Sequence, residues 1–174
     1  LERPAPVHLH QIRGGGGSNQ MLKTVKTLRH SKKPLHLLIC IGKNKTIAER
    51  LKRIKLPKHI TMSIIPFTNK VADLMAVSNA LITQPTPNVC KEALHLGVPV
   101  VFDMTKPTLF WERKTIDWFG KQDSYVIVKK RKQLLPGLLS VLNQPRPAIK
   151  YDALHFATQI KKVVNRMVPT ARAC

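Results

Sequence analysis

Residues 66–92 read P-F-T-N-K-V-A-D-L-M-A-V-S-N-A-L-I-T-Q-P-T-P-N-V-C-K-E. The acid that closes this stretch, Glu92, follows a turn at residues 84–87 that carries Thr86 and Pro87, and it lies in the early turns of a helix that opens at Asn88. A carboxylate beside a helix N-terminus, at the carboxyl end of a strand, suits a nucleotide. Free backbone N–H groups there face phosphates, and the acid accepts hydrogen bonds from ribose hydroxyls. A second phosphate cradle is offered by Gly14, Gly15, Gly16, Gly17 and Ser18, between a predicted strand and a predicted helix. Glycines in that place let backbone amides approach a pyrophosphate. The same string is a common engineered linker, and that alternative stands beside the first. Glu92 also has a plainer role open to it, as an acid favoured by the helix dipole.

These groups work together only if the scaffold brings their loops to one edge. Strands are predicted over residues 7–12, 35–41, 60–65, 80–83, 98–102 and 125–128. Helices are predicted over 19–30, 46–54, 69–77, 88–96 and 110–119, with another running to about residue 142. This alternation implies an α/β fold: a Rossmann-like parallel sheet of about six strands with helices on both faces. Right-handed crossovers then place the loops at residues 14–18 and 84–88 on the same, carboxyl edge. Residues 1–145 form this domain. Residues 146–174 form a C-terminal amphipathic helix (151–167) and tail, with Phe156, Ile160, Val163, Val164 and Met167 in one apolar stripe.

Charge is the second strong signal. The chain of 174 residues carries 30 Lys+Arg against 9 Asp+Glu, a formal net charge of +21. Residues 21–58 hold twelve basic side chains and a single acid, Glu49. Such a field attracts phosphates, and an anionic membrane surface is the preferred partner. Aromatic residues are not interleaved with this basic run and no nucleic-acid module is recognisable, so nucleic acid is the less favoured partner. No apolar run has the length of a membrane span. Cys40, Cys90 and Cys174 lack the spacing of a zinc site or a disulfide framework, which points to a reducing, cytoplasmic setting. His8 and His10 share one strand face without a third ligand, and no metal site is expected. A chain that opens on Leu1 is expected to be a piece of a longer one.

Over residues 7–143 the sequence resembles the C-terminal, donor-binding domain of family 28 glycosyltransferases, in the branch of monogalactosyldiacylglycerol synthases and processive diacylglycerol glucosyltransferases. Residues 39–44 (I-C-I-G-K-N) resemble that family's second strand, and Pro66, Phe67 and Thr68 its Gly-Phe-Thr. Glu92 falls on the ribose-binding glutamate. Glu112 and Thr115 fall on the late segment that contacts sugar hydroxyls. The resemblance implies one half of a GT-B fold, a UDP-sugar donor, inverting transfer to a membrane lipid such as diacylglycerol, and no metal or cofactor. It assigns Gly15, Gly16, Gly17, Ser18, Thr86, Pro87 and Asn88 to the diphosphate region, the Phe67 backbone to the base, and Glu112 to the sugar. The acceptor site and general base are expected on an N-terminal GT-B domain or partner subunit.

Five positions depart from the family pattern. Thr86-Pro87 replaces Gly-Gly, Asn79 replaces Asp, Gln84 replaces Lys and Thr115 replaces Asn. Proline lacks an N–H, so one phosphate donor is lost. Three functional readings follow: a lipid glycosyltransferase's donor half, a degenerate half kept as a scaffold, and a basic α/β protein associated with nucleic acid. At single residues, Glu112 could equally be a surface acid paired with Arg113 or Lys114. Asn44 is read as a helix cap before a ligand contact.

Overall fold

A computed structural model of the protein describes residues 5–10, 15–106, 110–119 and 125–146. The strands are β1 (Ala5–His10), β2 (Leu35–Gly42), β3 (Ile60–Pro66), β4 (Ala80–Thr83), β5 (Val100–Asp103) and β6 (Tyr125–Val128). They form one parallel sheet in the order β3-β2-β1-β4-β5-β6. The helices are α1 (Gly15–Leu28), α2 (Lys45–Lys52), α3 (Val71–Ala76), α4 (Pro87–His95), α5 (Phe110–Phe119) and α6 (Leu134–Leu142), the last preceded by a 3-10 turn at Arg131–Gln133.

Strand alternation sorts the core into two layers. Ala80, Ile82, Val101 and Val128 face Met21, Leu22, Val25 and Leu28 of α1, Ile47 and Leu51 of α2, and Leu134, Leu138 and Val141 of α6. Leu81, Val100 and Phe102 face Met75 of α3 and Val89, Cys90 and Ala93 of α4, with Ile116 of α5 packed alongside. The central strands are therefore apolar on both faces, as a covered parallel sheet requires.

Local chemistry sets the boundaries. Asn44 caps α2 by accepting from the Ile47 amide at 3.2 Å. Gly97 closes α4 in a left-handed conformation, φ 62°, which costs a glycine little. Its N–H donates to Leu94 O, and that of Val98 to Ala93 O, the paired bonds of a Schellman motif. Val98 is thus held in the helix closure and Pro99 has no N–H to give, so β5 starts at Val100 and not at residue 98. Helix α1 starts at Gly15, four residues before the expected start, so Gly15 to Gly17 are helical and not a loop, while Gly14 lies outside the described residues. Residues 151–167, expected as a C-terminal helix, lie outside the described residues.

Candidate nucleotide site

Strands β1 and β4 are neighbours, but the helices that follow them cover opposite faces of the sheet. Such a switch point opens a crevice at the carboxyl ends of the two strands. Helix α1 leaves it at Gly15, and α4 leaves it at Pro87. Both expected loops therefore lie at one edge.

Gly15, Gly16, Gly17 and Ser18 form the first turn of α1. The first amides of a helix have no intrahelical acceptor, so the turn can still meet an anion. On the other wall, Thr86 is the N-cap of α4 in an extended conformation, φ −93° and ψ 132°, and its hydroxyl makes no capping bond. Its N–H turns back to Gln84 O at 2.7 Å. Pro87 occupies the first helical position, where a missing N–H costs nothing to the helix. The Thr86-Pro87 pair thus builds a regular helix start without any left-handed residue. The Cys90 amide is taken by Thr86 O, which leaves Asn88 and Val89 as the first-turn donors. Asn88 is exposed, and Glu92 is exposed in the second turn of α4.

Phe67 follows β3 with 69% of its surface exposed, and the Lys43 Nζ, just beyond β2, sits 5.5 Å from its ring centroid. Strand spacing puts β3 about 10 Å from β1. Glu112 lies in the first turn of α5 beyond β5, buried to 1% exposure and already engaged within the fold. A solvent-facing acid at this position is excluded. Thr115, one turn later, is buried as well. The candidates are thus strung along one edge: Phe67 at β3, Gly15 to Ser18 at β1, Thr86 to Glu92 after β4, and Glu112 after β5. Cys90 lies within the crevice-forming helix, yet burial pushes its thiol up to about 12, which makes it core and not a nucleophile. Burial likewise raises Cys40, to about 11. Among the described residues no group of three or more His, Cys, Asp or Glu could hold a metal ion.

The sequence reading overlooked a polar cluster at the exit of β5. Asp103, 4% exposed, accepts from Gln20 Nε2 at 2.9 Å, Thr24 Oγ1 at 3.2 Å, and the Thr105 amide and hydroxyl at 3.1 and 2.6 Å. Arg131 Nη1 donates to Asp103 Oδ2 at 3.1 Å and to Thr24 Oγ1 at 3.1 Å, and Nη2 donates to Thr105 Oγ1 at 2.7 Å. This network ties α1 to the edges of β5 and β6. The available signals were an aspartate directly after three buried apolar residues, and Gln20 and Thr24 one turn apart on the inward side of α1.

Comparisons with known proteins agree with the resemblance read from the residues. The chain is 22% identical over 129 residues to the processive diacylglycerol beta-glucosyltransferase of Bacillus subtilis (strain 168), covering 72% of this chain and 33% of that one. It is 23% identical over 161 residues to the protein of the same name from Bacillus licheniformis, covering 87% of this chain and 41% of that one. The chain thus spans about a third to two fifths of these curated relatives. No protein-family model matches it. Among solved structures, the glycotransferase of kitacinnamycin superposes with a TM-score of 0.66 at 12% identity, over 97% of this chain and 46% of that one. A spinosyn rhamnosyltransferase complexed with thymidine diphosphate gives 0.63 at 13%, over 94% and 41%. The UDP-GlcNAc 2-epimerase of Methanocaldococcus jannaschii gives 0.63 at 13%, over 95% and 47%. The fold is one half of a GT-B architecture. Transferases and epimerases share it, so the fold alone does not choose the reaction.

Proposed function

We propose that the chain is the UDP-sugar-binding half of an inverting hexosyltransferase that works peripherally at a cytoplasmic membrane face on a lipid acceptor such as diacylglycerol. The supporting observation is the switch-point crevice, with two helix N-termini and the exposed Glu92 beside it, in a chain whose curated relatives are diacylglycerol glucosyltransferases. The diphosphate lies against the first turns of α1 and α4, uracil lies at Phe67, and Glu92 accepts from the ribose diol. Glu112, from within the α5 turn, orders the sugar side of the crevice. In the transfer, an acceptor hydroxyl oxygen attacks the anomeric carbon, its proton passes to a base on an N-terminal half, and the bond to the β-phosphate oxygen breaks. Helix-end amides stabilise the charge that builds on the departing diphosphate, without a metal.

Calorimetry of UDP binding tests this. Glu92→Gln keeps the side-chain size but weakens charge-assisted bonds, and is expected to cost about 1–3 kcal/mol of affinity with no change in folding stability. A second reading, a degenerate half kept as a scaffold, is favoured by Pro87 and Gln84, which remove one amide and one cation from the phosphate wall. Absence of UDP binding at millimolar concentration, with the N-terminal half present, selects that reading.

A further inference from the structure

A cleft of about 590 Å³ lies away from the switch point, between the flank of α1 and the segments that follow β5 and β6. Six cations line it: Lys23 and Lys26 from α1, Lys106 after β5, and Lys129, Lys130 and Arg131 after β6. Lys23, Lys26, Lys129 and Lys130 form no ion pair with a carboxylate among the described residues. Asp103, which bonds to Gln20 and Arg131 of the cleft lining, is buried and neutralised by Arg131.

The cleft is built and not a chance meeting of surface lysines. Arg131 is held by Asp103, Thr24 and Thr105, so its guanidinium is fixed at the cleft wall. The Gln133 Oε1 accepts from the amides of Lys129 and Lys130 at 3.1 and 2.8 Å, which sets the backbone that carries both lysines. Lys23 and Lys26 stand three residues apart on a helix and so present their ammonium groups to one side. Cations gathered in one concave site repel one another, and a multiply charged anion relieves that repulsion while accepting several charge-assisted bonds.

We propose that this cleft is a second anion site, for a ligand that presents two or more phosphate groups close together. It is separate from the switch-point crevice and does not depend on the donor reading. The shared chemistry is clustered phosphate oxygen, whether free in solution or on a lipid headgroup.

Inorganic tripolyphosphate is the probe, titrated calorimetrically into the full chain. One-to-one binding is expected, weakened roughly tenfold or more by Lys23→Glu with Lys130→Glu. Lys58→Glu with Lys70→Glu changes the net charge equally at exposed residues outside the cleft lining, and is expected to shift affinity by no more than about twofold, as a screened field would. Lys23→Gln with Lys130→Gln serves if the reversal lowers stability, monitored by urea unfolding. Vesicles of phosphatidylcholine with and without phosphatidic acid separate the sources. Binding of phosphatidic acid vesicles that also depends on Lys23 and Lys130 assigns the site to a lipid headgroup, and binding of tripolyphosphate alone assigns it to a free ligand. Equal losses from the two double reversals overturn the proposal, as does displacement of tripolyphosphate by saturating UDP or absence of any binding.

Discussion

Replacing Asp103 should damage the fold far more than replacing its ion-pair partner. Asp103 takes five hydrogen bonds, from Gln20, Thr24, Arg131 and two groups of Thr105, at 4% exposure. Asp103→Leu keeps the branched shape, with larger methyl groups in place of the oxygens, but strands four partners. Four partners left without their acceptor together cost about 3–5 kcal/mol. The Arg131 side chain is 28% exposed and can rehydrate, which places the cost near the lower bound, about 3 kcal/mol. Arg131→Met removes one member of the cluster and leaves Asp103 with its four other donors. Those four donors still solvate the buried carboxylate, so the loss is close to that of the ion pair discounted for the exposure of Arg131, about 1–1.5 kcal/mol. Urea unfolding followed by circular dichroism reads both values, provided the slope is unchanged. Against a total stability of about 5–15 kcal/mol the difference is easily resolved. Equal costs for the two variants, or a cost for Asp103→Leu under about 1 kcal/mol, would refute the view that the carboxylate organises the cluster.

Charge reversal at Arg50, Lys52 and Arg53 should weaken binding to phosphatidylglycerol vesicles by about 1 kcal/mol per residue at low salt, because α2 is held by buried Ile47 and Leu51 and not by its cations; co-sedimentation that shows equal binding to neutral vesicles counts against it. Gly137→Leu should lower stability by about 1–3 kcal/mol, since even a Cβ at this position would stand 3.0 Å from Val126 Cγ1 and 3.3 Å from Val128 Cγ2; thermal melting that shows no loss would mean α6 can lift off β6 freely. The thiols of Cys40 and Cys90 are raised by burial from 9.0 to about 11 and about 12. Their contribution to stability is therefore present below pH 9.0 and is lost as pH rises through these raised values, because the unfolded chain releases protons first. Unfolding midpoints near pH 8 and pH 11 should fall less steeply in a Cys40→Ala, Cys90→Ala pair than in the parent chain.

The fold was legible in the sequence because a covered parallel sheet writes itself as short apolar runs. Residues 80–83, 110–119 and 125–128 were bounded correctly from pattern alone. Boundaries failed where backbone bonding overrode hydropathy. Val98 is apolar and buried, yet its N–H closes α4, so β5 begins later. Four glycines read as a loop, since each disfavours a helix by about 1 kcal/mol relative to alanine. Gly15 to Gly17 are nevertheless the start of α1, where the helix continues into a well-packed apolar face through Met21, Leu22, Val25 and Leu28. That Gly15 to Ser18 and Thr86 to Glu92 share one edge followed from the strand and helix alternation, because right-handed crossovers start each helix at the same side of the sheet. The Asp103 cluster was not, because Gln20 and Arg131 approach Asp103 from 83 and 28 positions away and no local pattern joins them.

Helix α1 runs between the two proposed anion sites, which would act by different physics. Its first turn faces the switch-point crevice, where unpaired amides and the helix dipole act, and that attraction fades within a turn. Its flank carries Lys23 and Lys26, whose full charges reach the second cleft, and the helix has no acid in its first turn to offset either. Between them, Gln20 and Thr24 anchor the helix to Asp103. A shift of α1 would therefore alter both sites at once, and the same anchor fixes Arg131. If the two sites are coupled, phosphate occupancy of the cleft must change UDP affinity by the same factor that UDP changes phosphate affinity. Asp103→Asn keeps one acceptor oxygen and replaces the other with a donor that opposes Arg131 and Thr24. It should therefore loosen the anchor and weaken tripolyphosphate binding, while a UDP affinity left untouched would show that the two ends of α1 act independently.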